Sequence, residues 1–239
     1  MFLKIVSEKY YVSRKRKMLR EFDKLAKAGK VIFEARFGKE EALRLFAEAH
    51  AEYERIIPEI PYIGKSRLAP FLVATAEFLA VYRVLKPRGI SAEEAGKMFC
   101  DFCEIIMQKY PRFVMRIIGA NLFSKRHLEK MRKGAEISKK KEFPEGYVYE
   151  FVEGDGKNFD YGVDYLECAG CKFLKKQGEF ELAKYLCPMD ALYSEKFGWG
   201  LVRTKTIADG FDRCDFRFKK GGKTKVAMPE CLRGRRKTY

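Results

Sequence analysis

The sequence has no apolar run long enough for a membrane span and no segment that resembles a secretion signal. Glu77 and Arg83 interrupt the most apolar stretch, residues 68–85, whereas a membrane helix needs roughly 18 or more uncharged apolar residues. The first eleven residues include three charged side chains and lack the apolar core of a signal peptide. We therefore expect a soluble cytoplasmic protein without a membrane partner, in which residues 68–85 form a buried helix.

Histidine is also scarce, with two residues in a chain of 239. Neither His50 nor His127 has a second histidine or a suitable carboxylate near it in the sequence. A general base built on histidine needs such an orienting partner. We therefore expect both histidines to be structural or exposed rather than catalytic.

The net charge of +16 is concentrated at the two ends of the chain. Residues 1–30 hold ten basic and three acidic residues, and residues 217–239 hold nine basic and one acidic. Between them, thirty basic residues are balanced by twenty-nine acidic ones. A basic groove in the folded body is not indicated, so the charge does not favour nucleic acid as a partner. We interpret the end of the chain, from Arg233 to Lys237, as solvated.

The pattern of apolar residues and breakers predicts an α+β fold in three parts. Residues 1–141 form a helical region of about five helices, one of which begins with a capping box at Ser91 and Glu94. The spacing then changes to the alternation typical of strands, so residues 142–220 form a cysteine-bearing α+β module. Residues 221–239 form a basic tail.

Within the cysteine-bearing module we predict an antiparallel sheet with short helices. The segments from Tyr147 and from Phe159 favour strands, and Pro188 interrupts a helix over residues 180–197. A hairpin of residues 201–208 and 213–218 would turn at Asp209 and Gly210, a dipeptide that tolerates the backbone of a tight turn.

The seven cysteines are expected to be thiols, since a disulfide framework does not fit a cytoplasmic chain. Cys100 and Cys103 lie within an amphipathic helix and favour core packing. Elsewhere, Cys168 and Cys171 have the spacing of metal ligands, and two further cysteines could complete a zinc or iron–sulfur site. The full set of candidate metal ligands is Cys168, Cys171, Cys187 and Cys214.

Two motifs bring chemically useful residues close to these cysteines. They are Cys187-Pro-Met-Asp190 and the segment from Arg203 to Gly210, which is followed by Cys214-Asp-Phe216. Over residues 161–218 this arrangement resembles the C-terminal signature of the L-2-amino-thiazoline-4-carboxylic acid hydrolase family. It is also distantly similar to small-molecule-binding domains of the four-vinyl-reductase type.

The resemblance implies a hydrolase that opens a cyclic amidine carrying a carboxylate, a reaction of cysteine metabolism, by attack at the amidine carbon. Its partner would be a small-molecule substrate, and no cofactor would be required. The alternative is a non-catalytic module that binds a small molecule, or a metal as zinc or an iron–sulfur cluster. Hydrolysis by metal-free protein would favour the first hypothesis, and stoichiometric metal in purified protein would favour the second.

Cys187 and Asp190 are the candidate catalytic residues. Because proline favours the first position of a helix, Pro188 predicts that Cys187 is the N-cap, where backbone amides would favour its thiolate. Cys187 could then attack as a nucleophile, or Asp190 could activate water or bind the amidinium. The structural alternatives are a small buried thiol and an acid favoured in a first helical turn.

Arg203 and Thr204 are the candidate substrate-binding residues. Arginine can bind a carboxylate through two hydrogen bonds, and both residues lie in the stretch that resembles the family. We expect Arg203 and Lys205 on one face of a strand, with Thr204 and Thr206 on the other. Ordinary strand composition is the structural alternative.

Overall fold

The computed structural model describes residues 9–232, which divide between two compact units. The helical unit comprises the described chain up to Ile106, with Phe143–Gly146 and Ala169–Leu182. The sheet unit comprises Met107–Glu142, Tyr147–Cys168 and the described chain from Ala183 onward. Each unit thus draws on separate segments of the chain. The predicted boundaries after residues 141 and 220 remain a prediction.

In the part of the chain that the structure describes, four long helices and one short helix form the helical unit. Gly38, with a φ of 81°, separates the first two helices in a backbone conformation that favours glycine. The third helix is buried as predicted, with Leu72, Leu79 and Leu85 almost inaccessible to solvent. The helices are α1 (Lys15–Phe37), α2 (Lys39–Ile56), α3 (Ala69–Leu85), α4 (Ala92–Gln108, whose last two residues fall in the sheet unit) and α7 (Ala169–Lys176).

The capping box predicted for α4 is confirmed. The Glu94 backbone N–H donates to the Ser91 hydroxyl at 3.2 Å, and the Ser91 N–H donates to the Glu94 carboxylate at 3.1 Å. Both cysteines of α4, Cys100 and Cys103, are buried, which confirms the prediction that they belong to the core. No helix among residues 9–232 combines the length and apolar character needed to cross a bilayer.

The sheet unit combines a five-stranded sheet with short helices, which confirms the α+β class. Its strands lie in the order β1-β2-β4-β3-β5. The first three neighbouring pairs in this order are antiparallel as predicted. The sheet as a whole is mixed rather than antiparallel, because the added edge strand β5 pairs with β3 in parallel. The strands are β1 (Val148–Glu153), β2 (Tyr161–Glu167), β3 (Leu201–Arg203), β4 (Cys214–Phe218) and β5 (Lys225–Val226), and the helices are α5 (Arg112–Ala120), α6 (Lys125–Lys139), α8 (Ala183–Leu186) and α9 (Met189–Phe197).

The strand register places the candidate residues on one face of the sheet. Tyr165 of β2 is paired with Cys214 of β4, and Val163 with Phe216. Directly paired residues point to the same side of a sheet, and Val202 pairs with Arg217, so Arg203 shares the face of Phe216. Arg203 on this face contacts Asp190 in the first turn of α9.

The number of helices before the sheet differs from the prediction. The segment from Arg112 to Lys139 forms two helices, because Ser124 begins α6 by accepting a hydrogen bond from the His127 N–H. Six α-helices therefore occupy residues 15–139 where about five were expected. The break of the later helix at Pro188 is confirmed, since α8 ends at Leu186 and α9 begins at Met189.

The predicted hairpin is also different from the observed one. Its first strand, β3, ends at Arg203, and a short 3-10 helix over Ile207–Asp209 precedes Gly210. Thr206 caps that helix by accepting from the Asp209 N–H, which ends the strand pairing early. In the predicted basic tail, residues 225–226 form β5 on the edge of the sheet, and the basic residues from Arg233 onward lie outside the described residues.

Candidate functional site

Arg203 is the most buried charged residue of the candidate site, with 1% of its side chain exposed. One terminal nitrogen donates to the Asp190 carboxylate and, at 3.0 Å, to the Cys187 carbonyl oxygen. The other donates to the carbonyl oxygen of Ala227 at 3.2 Å. The guanidinium also lies 5.4 Å from the centre of the Phe216 ring. These contacts direct Arg203 inward, where it holds Asp190 and the start of α9 in place.

Asp190 stands at the boundary between this interior and solvent, with 28% of its side chain exposed. Burial raises the pKa of its carboxyl to about 6, against the opposing effect of the Arg203 guanidinium. Only its Oδ2 atom is bonded to Arg203. The carboxylate is therefore ionised at neutral pH and has a second oxygen for another partner, which suits a general base.

The prediction that Cys187 is a helix N-cap was wrong. Pro188 is the residue that precedes α9, and the Cys187 backbone N–H donates back to the carbonyl of Ala183 at 3.3 Å. Cys187 thus does not occupy the N-cap position from which its side chain was expected to meet the helix amides. Burial instead raises the thiol pKa well above its ordinary value, with Asp190 adding to the rise and Arg203 opposing it. Cys187 is therefore a neutral thiol at pH 7.

Thr204 follows the end of β3 and is exposed. Its backbone N–H and its hydroxyl both donate to the Asp215 carboxylate, at 2.8 and 2.6 Å, and the Lys205 N–H donates to the same carboxylate. The expected alternation of strand faces does not extend to Lys205 because the strand has already ended. Thr204 is thus part of a loop held by Asp215, whereas Arg203 belongs to the interior.

Three of the four candidate metal ligands influence one another electrostatically. Cys168, Cys187 and Cys214 lie close enough that charge on one would raise the pKa of the others. Burial chiefly raises the Cys214 pKa to about 11, although the Ile207 N–H donates to its sulfur. Within the part of the chain that the structure describes, no three His, Cys, Asp or Glu side chains are arranged to hold a metal ion. Cys171 is buried in the helical unit.

Tyr165 is a neighbour of this site that the sequence did not single out. It lies on β2 opposite Cys214, and its ring makes an edge contact with Phe216 at a centroid distance of 5.2 Å. Burial raises the pKa of its hydroxyl, and the charges of Tyr149, Asp190 and Cys168 add to the effect. Tyr161 and Tyr165 lie four residues apart on β2 and so share one face, a signal that could have placed Tyr165 beside the candidate residues.

Two surface cavities of the sheet unit lie away from Cys187 and Asp190. One, of about 590 Å³, lies along α6 and β1, and the other, of about 220 Å³, lies between α5, α9 and the loop before β5. Neither Cys187 nor Asp190 lines either of them. The lining of the second is Arg112, Arg116, Ser194, Glu195, Gly198, Gly221, Gly222 and Thr224.

Comparison with known proteins gives one match. The model of a family described as L-2-amino-thiazoline-4-carboxylic acid hydrolase matches residues 71–218, more than half of the chain. The match contains Asp190 and Arg203 and extends through the helices before them, beyond the stretch in which the sequence motifs were recognised. No curated protein and no solved structure matches the chain.

Proposed function

Because this chain belongs to the L-2-amino-thiazoline-4-carboxylic acid hydrolase family, we propose that it opens a cyclic amidine carrying a carboxylate, with 2-amino-thiazoline-4-carboxylate as the first substrate to test. The observation that carries the proposal is the Asp190 carboxylate, which is partly exposed, ionised at neutral pH and held through one oxygen by the buried Arg203. A cytoplasmic location and a place in cysteine metabolism are parts of the same proposal.

In the proposed mechanism, Asp190 removes a proton from a water molecule as the water attacks the amidine carbon. A base works best when its pKa lies just below the operating pH, and a pKa of about 6 meets that condition. The ring carbon–nitrogen bond then breaks, Asp190 returns its proton to the leaving ring nitrogen, and the carbamoyl group remains on sulfur as S-carbamoyl-cysteine. Arg203 acts as a positioning residue, because its hydrogen bond fixes which carboxylate oxygen faces the water.

Activated water is a better attacker here than the Cys187 thiolate. Attack by cysteine requires the ionised sulfur, and the raised pKa of Cys187 opposes ionisation. The thiol instead neighbours the base and contributes to its partly apolar surroundings. Cys187→Ser should keep most of the activity, with Cys231→Ser as the matched control. A complete loss of turnover in a folded Cys187→Ser protein would return the nucleophilic role to this sulfur.

The proposed reaction needs neither zinc nor an iron–sulfur cluster. The competing hypothesis, a metal-binding module, is supported by the spacing of Cys168 and Cys171 and by the proximity of Cys187 and Cys214. Elemental analysis of protein purified without added metal separates the two hypotheses. Stoichiometric zinc or iron that chelators remove together with structure or activity would favour the metal-binding module.

The decisive experiment is an assay of 2-amino-thiazoline-4-carboxylate opening, followed by mass spectrometry of the carbamoyl-cysteine product. Asp190→Asn should lower kcat by about 100-fold or more, the usual contribution of a general base. Asp212→Asn is the control, because Asp212 is an exposed acid of the same unit that pairs with Arg213. Absence of turnover by the unaltered protein, or equal turnover by Asp190→Asn, would overturn the proposal.

A mobility-shift assay with DNA and RNA addresses the remaining partner class. We expect no shift at physiological salt, because the basic residues are concentrated at the chain ends. A shift that weakens steeply as salt increases would instead indicate contacts with phosphates.

A further inference from the structure

The smaller cavity of the sheet unit is lined by two arginines that have no partner within the described chain. Arg112 and Arg116 are one turn apart on α5 and point into the same cavity of about 220 Å³. The described residues offer neither arginine an acceptor for a hydrogen bond or an ion pair. Glu195 also lines the cavity but forms no ion pair with either of them. Each guanidinium therefore keeps all of its donors for a ligand.

Close packing of helices α5 and α9 fixes the position of Arg116. A Cβ added to Gly119 would overlap the Phe197 carbonyl, and a Cβ added to Gly198 would overlap the guanidinium of Arg116. Gly198 also has a φ of 76°, which ends α9 in a conformation that favours glycine. The two glycines thus allow α5 to approach the end of α9 and leave room for the side chain of Arg116 beside Gly198.

Thr224 adds a third donor to the same cavity. The Ser194 hydroxyl accepts from the Leu201 N–H at 2.9 Å and lies 2.6 Å from the Thr224 hydroxyl. Either hydroxyl could donate in this contact. Because Ser194 is fully buried and Thr224 is the acceptor within reach of its proton among the described residues, we assign the Ser194 proton to Thr224, which leaves the Thr224 proton for the cavity side.

Two glycines of the loop between β4 and β5 line the cavity, and their backbone N–H groups are already bonded. The Gly221 N–H donates to the Gly198 carbonyl at 3.0 Å, and the Gly222 N–H donates to the Lys219 carbonyl at 2.8 Å. These bonds hold the loop against the end of α9. The two guanidinium groups and the Thr224 hydroxyl are the side-chain donors that line the cavity.

From this arrangement we propose that the cavity between α5, α9 and the β4–β5 loop binds the oxyanion group, carboxylate or phosphate, of a small molecule. A guanidinium group can form paired hydrogen bonds with two oxygens of a planar carboxylate or of a tetrahedral phosphate. Thr224 and the loop glycines lie outside the residues matched by the family model. The site does not depend on the proposed hydrolase activity.

The proposal is tested by titrating the whole protein with inorganic phosphate and, separately, with acetate. Binding is followed by calorimetry and by the NMR amide signals of Gly198, Gly221 and Gly222. We expect saturable binding of at least one anion that shifts these signals and weakens as salt increases. A preference for phosphate or acetate identifies which group the natural ligand carries.

The test variant is Arg112→Gln with Arg116→Gln, and binding should weaken at least about tenfold, as expected when charged hydrogen bonds are lost. The matched control is Arg126→Gln with Lys130→Gln, which removes the same charge from exposed positions on α6 and should leave binding unchanged. Circular dichroism and thermal unfolding establish that both double variants are folded. Absence of binding of either anion to the unaltered protein, or equal binding by the two double variants, would overturn the proposal.

Discussion

The sheet unit contains two arginine sites with opposite organisation. Arg203 is buried and gives hydrogen bonds to Asp190 and to two backbone carbonyls. Arg112 and Arg116 are exposed and have no acceptor among the residues described. A buried arginine with internal partners positions other groups, whereas open arginines without partners among the described residues remain available to a ligand.

Replacing Arg203 should cause the largest loss of stability. Arg203→Met keeps an unbranched apolar chain but removes the cation beside Asp190 and the donors to the Cys187 and Ala227 carbonyls. Removing one partner of a buried ion pair costs about 3 kcal/mol or more, which urea denaturation would measure. A change below about 0.5 kcal/mol, the usual range for surface substitutions, would mean that Arg203 does not stabilise the interior of the sheet unit.

The next largest effect is expected in the pH dependence of kcat/KM, which involves Asp190 and not the arginines of the cavity. Asp190 must be ionised to act as a base, and its pKa is raised to about 6. Below this value kcat/KM should fall about tenfold per pH unit, because the protonated carboxyl cannot accept a proton. In Asp190→Asn this fall in kcat/KM at acidic pH should be absent. A kcat/KM of the unaltered protein that stays constant from pH 7 to pH 5 would contradict the role of Asp190 as the base.

Removing the Thr224 hydroxyl should produce a smaller effect, confined to the cavity. Thr224→Val keeps the shape of the side chain but removes the donor, so anion binding should weaken several-fold, in line with about 1 kcal/mol for one hydrogen bond. Calorimetry measures the change, and kcat with the thiazoline substrate should stay unchanged. An equal affinity in Thr224→Val would restrict recognition to the arginines.

The smallest effect is expected for the stability of the arginine variants at the cavity. Arg112→Gln and Arg116→Gln remove no internal partner, so each should change the free energy of unfolding by less than about 0.5 kcal/mol. Urea denaturation under the conditions used for Arg203→Met gives a direct comparison. A loss as large as that of Arg203→Met would show that the open arginines also brace the fold.

Local patterns predicted much of the fold because each depends on neighbouring residues. The capping box at Ser91 and Glu94, the buried helix α3 and the break at Pro188 all follow from spacing and backbone chemistry. The end of β3 was missed because it depends on Thr206 capping a short helix and on Asp215 binding the Thr204 loop. These contacts compete with strand pairing and leave no periodic signal.

For the candidate site, too, local motifs indicated some of the residues, and contacts between distant residues decided the rest. The motif from Cys187 to Arg203 indicated which residues to consider, and its resemblance indicated the family that the match supports. The N-cap assignment failed because the first residue of α9 was inferred from proline alone, whereas the Cys187 N–H is already bonded to Ala183. The Arg112 and Arg116 pair was not recognised, since exposed basic residues on a helix usually decorate a solvent face.

The sequence by itself determined the α+β class, the positions of most helices and strands, the neutral charge of the central region and the family. The tertiary structure alone decided how the charged groups function, because pKa values and hydrogen-bond partners depend on groups distant in the chain. Burial beside Arg203 sets the pKa of Asp190 and keeps the Cys187 thiol neutral. The packing of α5 against α9 determines that two surface arginines face one cavity.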